Sequence, residues 1–232
     1  MRAWVVAAAA LAGGLIGAGG VHLAGRAGGD AVGGAVVRDY LLAHPEVIPE
    51  AMDRLQKREQ ARAVASTGDA VTRPYAGAFM GNPNGDVVLV EYYDYNCGIC
   101  RANLPVVREL VRRDPNLKVV FRELPVLAPS SRDAARASLA AARRNRFPAF
   151  HNALFAAGRV TPDSIAAATR AAGVTVPAED PAADAEIARN LETAGRLGVT
   201  GVPSWVVGDE VMIGAQPLER LQKAIADARA AG

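Results

Sequence analysis

Cysteine is almost absent from this chain: Cys97 and Cys100 are its two residues of that type in 232. No second CxxC and no HxxxH spacing accompanies them, so the roughly four ligands of a zinc site are not offered by the sequence. Position 101 is arginine, where attachment of a c-type haem needs histidine. There are four methionines and three histidines, and they form no tract that would gather Cu(I) ligands. Net charge is +2, which does not point to nucleic acid. The basic clusters Arg112-Arg113 and Arg143-Arg144-Asn145-Arg146 lack interleaved aromatics and read as solvated helix faces and ends.

What is present is the spacing Cys97-Gly98-Ile99-Cys100. Two cysteines placed at random in such a chain would fall three apart in about one case in a hundred, so the pair reads as redox-active. If Cys97 opens a helix, its sulfur faces unpaired backbone N–H groups and the positive end of the helix dipole, which favour the thiolate that attacks disulfides. Cys100, one turn on, can then attack a mixed disulfide and release the partner. A purely structural disulfide over so short a loop would stabilise little. No cofactor is required, because the thiol pair itself carries two electrons.

With 50% hydrophobic residues the chain can bury a substantial core, enough for one domain and an accessory segment. Arg2 followed by the uncharged stretch 3–25 predicts an export signal over 1–28, cleaved near Ala18 or Ala24, or retained as an anchor through the Gly13–Gly17 pair. Export to an oxidising compartment fits the cysteine chemistry. Residues 29–66 read as a helical arm. Val36, Val37, Tyr40 and Leu41 form one apolar stripe, His44-Pro45 breaks it, and Val47, Ile48, Ala51, Met52 and Leu55 form a second. His44 is a residue of the helix break rather than a ligand. Such an arm must cover its stripe on the main domain or on other copies, which makes 30–65 a candidate oligomerisation segment, testable by deletion.

Glycines and prolines over 65–85 predict a linker and turns. Val87 to Tyr92 reads as a buried strand ending just before Cys97, the place where open α/β sheets put their active sites. A helix with Pro105 inside it and a strand over 117–123 follow. Alanine-rich helices are expected over 131–144, 147–157, 161–172 and 182–197, then strands over 204–207 and 211–213 and a closing helix over 216–230. His151 is expected to pack beside Phe147 without chemistry of its own. The fold class is α/β, with a helical block at about 126–197 inserted in a domain spanning 67–232.

The segments Val90 to Cys100, Phe121-Arg122-Glu123-Leu124-Pro125 and Gly198-Val199-Thr200-Gly201-Val202-Pro203-Ser204, with Pro105 five residues after Cys100, resemble the DsbA-like branch of the thioredoxin superfamily. The arm, with Tyr40-Leu41-Leu42 and His44-Pro45-Glu46, is similar to the N-terminal segment of suppressor-of-copper-sensitivity C proteins, some of which use it for oligomers and isomerase activity. The resemblance implies a thioredoxin-like fold with an inserted helical domain. It also implies Cys97 and Cys100 as catalytic residues, and Val202-Pro203 as a cis-proline loop that meets extended substrate. Glu91 matches the acid that family members place beneath the disulfide. As a residue it reads either as a buried carboxylate of raised pKa that moves the Cys100 proton, or as a strand-end group reaching solvent.

Strong oxidants of this family carry histidine between the cysteines. Gly98 and Ile99 supply neither charge nor side-chain hydrogen bond, which predicts a less stabilised thiolate and a less oxidising pair. Val202 before the proline resembles oxidases instead. The expected activity is thiol-disulfide exchange with unfolded or cysteine-containing exported proteins in the periplasm. A membrane redox partner of DsbB or DsbD type would renew the pair, and the direction of electron flow stays open. The alternative from another class is a periplasmic copper-binding, metal-protective thiol protein, distinguished by loss of function under excess chelator. A scaffold using the arm for assembly is a third reading.

Overall fold

A computed structural model describes residues 33–232. The expected leader, 1–28, lies outside them. The chain divides into two compact units after Gln56.

In the first unit, residues 33–43 are helical (α1), and α2 runs Val47–Ser66, crossing into the second unit. The break between them has a local cause. The N–H of His44 closes α1 on the Tyr40 carbonyl at 2.8 Å, and Pro45 has no N–H to continue the ladder. Val36, Val37, Tyr40, Leu42, Ile48, Met52 and Leu55 are all exposed in the single chain. Beyond Leu55 the helix is held in the second unit by Ala63 and Val64, which pack against Val71 and Tyr92.

The second unit is built on a five-stranded sheet of order β1-β3-β2-β4-β5, with β1 at Phe79–Gly81, β2 at Val87–Tyr93, β3 at Leu117–Glu123, β4 at Ser204–Val207 and β5 at Glu210–Ile213. β2 and β3 are parallel and joined by α3 (Gly98–Arg113); the other pairs are antiparallel. Between β3 and β4 lie α4 (Pro129–Arg143), α5 (Phe147–Ala157), α6 (Pro162–Ala172) and α7 (Pro181–Arg196), and α8 (Leu218–Ala231) closes the chain. Alternation along β2 divides the core: Leu89 and Tyr93 face the cluster with Leu104 and Val107 of α3, while Val90 and Tyr92 face Val71, Ala194 and Leu197. Among the described residues no helix is long and apolar enough to cross a membrane.

Two features differ from the sequence expectation. β1 lies within the stretch expected to be linker, because a three-residue edge strand is too short to show alternation. It pairs with β3 at Phe79–Val120, and Gly81 is required there. Its φ is +85°, and an added Cβ would meet the Leu117 carbonyl oxygen at 2.4 Å. Second, Arg122 of β3 is buried and acts as a tie. It donates to Glu186 Oε1 of α7 at 2.6 Å and to the Val71 carbonyl at 3.0 Å, and also reaches the carbonyls of Ala70 and Arg73. One side chain thereby joins the sheet, the helical insertion and the segment entering β1.

Candidate active site

Cys97 is the N-cap of α3, in extended conformation just after β2, and its Sγ accepts the backbone N–H of Cys100 at 3.0 Å. This is an N-cap bond made by sulfur, and it satisfies one of the donors that a helix start leaves unpaired. The two thiols are free, 6% and 2% exposed. The Cys97 thiol also donates to the Val202 carbonyl at 3.6 Å, and the Val202–Pro203 peptide bond is cis. The structure thus brings Cys97, Cys100 and Val202-Pro203 together from positions far apart in the chain. Burial pushes the Cys100 thiol well up, and its hydrogen bonding with Cys97 adds to this. Cys100 is therefore a protonated reserve until a base or a disulfide partner arrives.

Glu91 is 3% exposed, so the solvent-reaching alternative for it is set aside. It lies on β2 between Phe121 of β3 and Trp205 of β4, on the strand face that carries Leu89 and Tyr93. Burial alone raises its carboxyl to about 8, and its charge is among the influences that raise Cys100.

The residues before Cys97 are fastened by groups that spacing alone did not single out. The buried Asp94 accepts the N–H groups of Asn96 at 2.8 Å, Val126 at 3.0 Å and Leu127 at 2.9 Å, and its carbonyl accepts the N–H of Cys97 at 3.0 Å. The Asn96 side-chain amide donates to Ser130 Oγ at 3.0 Å and Ser131 Oγ at 2.9 Å. The turn ahead of the cysteine is consequently pinned to the loop that enters α4.

Residues 88–226 match the family described as DSBA-like thioredoxin domain. The chain belongs to that family. Residues 34–62 match the copper resistance protein ScsC N-terminal domain. Among solved structures, the chain is similar to a thioredoxin-like oxidoreductase from Silicibacter pomeroyi DSS-3, with 37% identity over 71% of this chain and 99% of that one and a TM-score of 0.66. A linker-deletion mutant of Proteus mirabilis ScsC is 27% identical over 85% of this chain and 93% of that one, with a TM-score of 0.71. A periplasmic thioredoxin-like protein from Salmonella enterica serovar Typhimurium is 32% identical over 70% and 95%, with a TM-score of 0.65. A sequence relative, Na(+)/H(+) antiporter NhaA 1 of Salinispora arenicola, is 26% identical over 75% of this chain, which spans 29% of that protein's length.

Within the DSBA-like domain a buried polar cluster lies behind the turn. Tyr95 hydrogen-bonds Ser138 Oγ at 3.0 Å and His151 Nδ1 at 3.1 Å, and Tyr93 donates to Glu123. Burial holds His151 down to about 3 and pushes Glu123 up to about 8, so imidazole and carboxyl are both neutral at pH 7. His151 does pack beside Phe147, with ring centroids 4.9 Å apart, and in addition satisfies Tyr95. Arg101 folds back over Gly98 and donates to the Gly158 carbonyl at 2.8 Å, tying the active-site helix to the end of α5.

Proposed function

We propose that this DSBA-like domain is a thiol-disulfide oxidoreductase acting on cysteine-containing polypeptides, with Cys97 as nucleophile and Cys100 as resolving thiol. The observation that carries the reading is the 3.0 Å bond from the Cys100 N–H to Cys97 Sγ, which holds the sulfur at the N-terminus of α3 with the second thiol one turn away. In the reducing direction, the Cys97 thiolate attacks one sulfur of a substrate disulfide, and the other sulfur leaves as a thiolate that takes a proton from solvent. Cys100 then gives its proton to a base and attacks Cys97 Sγ. The Cys97–Cys100 disulfide forms, the substrate leaves as its second thiolate, and two electrons have passed to the substrate. The oxidising direction is the reverse. Glu91, with a carboxyl near 8, suits the role of that base close to neutral pH. Val202 and Pro203 present backbone beside Cys97 and are the substrate-facing loop of this proposal.

The test is exchange with a reduced or disulfide-bonded peptide. Cys97→Ser abolishes turnover, and Cys100→Ser accumulates a mixed disulfide through Cys97; full activity of Cys97→Ser refutes the assignment. Direction is read from the reduction potential against glutathione buffers, with alkylation mass shifts as readout. A value near about −120 mV marks a disulfide donor, and one near or below about −230 mV marks a reductase or isomerase.

Periplasmic location and a membrane redox partner of DsbB or DsbD type complete the proposal, supported by the periplasmic protein among the structural neighbours. The arm within 29–66 is proposed as an oligomerisation segment, supported by its exposed apolar residues and its match over 34–62. The printed name of that match favours one second reading, Cu(I) held by the two thiols. Exchange activity that persists with excess chelator rules against it.

A further inference from the structure

The buried residues of α3 are Cys100, Asn103, Leu104, Val107 and Leu110, the helical spacing of a face turned to the core. Asn103 is the polar residue below Cys100 in that stripe. It is 6% exposed, and its Nδ2 is the one fully buried side-chain nitrogen or oxygen among the described residues with no hydrogen-bond partner. A buried donor left unmatched is destabilising, and leucine would fill a similar space without that penalty, so the amide calls for a partner that the resting dithiol does not provide. Its place in the helix names the partner. Side chains at i and i+3 are neighbours, with Cβ atoms about 5–6 Å apart, and helical side chains lean toward the N-terminus, so Asn103 leans over the turn that holds Cys100. The amide makes no bond to that sulfur in the dithiol state. Cys100, in turn, is short of stabilising groups. Burial, its bond with Cys97 and the charge of Glu91 all oppose ionisation, and against them stands a backbone hydrogen bond with Asp94. The sulfur must nevertheless carry negative charge whenever it attacks or leaves.

We infer that the Asn103 side-chain amide is a catalytic hydrogen-bond donor to Cys100 Sγ, engaged only while that sulfur carries negative charge. The inference rests on the oxidoreductase reading and adds a residue to its resolving step. In the mixed disulfide, Cys100 gives its proton to the base and its Sγ bonds Cys97 Sγ, while the bond from Cys97 to the substrate sulfur breaks and the substrate leaves as a thiolate. Asn103 keeps both of its amide protons. It donates one hydrogen bond as charge gathers on Cys100 and loses it as the Cys97–Cys100 bond completes. In the reverse direction it meets the same sulfur as the leaving group. A contact made only while charge is present accelerates that step and leaves substrate binding unchanged.

The experiment is a single turnover of the reduced protein with a disulfide-bonded peptide, quenched in acid at intervals, alkylated and read by mass, so that formation and resolution of the mixed disulfide are timed separately. Asn103→Leu and Asn103→Ala remove the donors, and Asn103→Gln keeps an amide. Resolution slows roughly ten- to hundredfold in the first two, the scale of a hydrogen bond to a charged atom, and the mixed disulfide accumulates. Asn103→Gln recovers part of the rate. In the Cys100→Ser background, where the recipient sulfur is gone, Asn103→Leu has no effect on the rate at which Cys97 forms the mixed disulfide. Leucine and alanine variants that resolve as fast as the native protein overturn the inference, and so does an equal slowing of formation and resolution, which marks a structural role. A native protein that forms no mixed disulfide at all overturns the oxidoreductase reading itself, and the role of Asn103 with it.

Discussion

Asp94 Oδ2 accepts the backbone N–H of Leu127 at 2.9 Å, so a residue in the turn before Cys97 is anchored to the loop that leaves β3. The same carboxylate receives Asn96 and Val126, and three main-chain donors converge on one buried side chain. Asp94→Ala leaves all three without an acceptor. At roughly 1 to 3 kcal/mol for a buried group left unpaired, less where water enters, a fall of several degrees in thermal midpoint is expected. The exchange rate with dithiothreitol falls too, because Cys97 loses its fixed approach. An unchanged midpoint and rate would show that the anchor is idle.

Glu91 carries a pH signature. Its folded pKa of about 8 lies above the ordinary value of 4.5, so the folded state holds a proton that the unfolded chain releases. The cost of its burial is therefore absent below about pH 4.5, grows as pH rises through the interval, and is complete above about pH 8. Glu91→Gln is expected to be near neutral for stability at pH 4 and stabilising at pH 9, on the order of 5 kcal/mol at most. Urea unfolding at the two pH values measures this. If Glu91 is the base for Cys100, the variant also slows resolution of the mixed disulfide.

The Arg122–Glu186 pair is buried on both sides. Removing one partner strands the other charge, so Arg122→Met should destabilise by roughly 3 to 5 kcal/mol, whereas exchange of both for apolar residues costs much less. Chemical denaturation of the single and double variants distinguishes a tie from a bystander.

Removal of residues 33–56 takes away the exposed apolar residues of the arm and spares Ala63 and Val64, which pack in the second unit. The oligomer mass in solution is expected to drop to that of a monomer, with exchange on dithiothreitol retained. A full-length protein that is already monomeric by light scattering defeats the assembly proposal.

Local patterns carried far in this chain. The strand over 117–123, the helix over 147–157 and the strand over 204–207 stand where alternation, helical spacing and turn residues put them, since each is long or sharply bounded. β1 escaped because three residues carry too little pattern, and its pairing is supplied by β3. The burial of Glu91 was undecided in sequence, because Phe121 and Trp205, which flank it, arrive from separate strands.

The sequence by itself determined the chemistry and its setting: two cysteines three apart, at the end of an apolar strand and the start of a helix. Those properties reside in neighbouring residues and need no distant partner. The tertiary structure alone decided which groups hold them. Asp94 reaches Val126 and Leu127, Asn96 reaches Ser130, Arg101 reaches Gly158 and Tyr95 reaches His151. Hydrogen bonds act over about 3 Å, and chain distance sets no limit on them once the helical insertion folds back over the sheet.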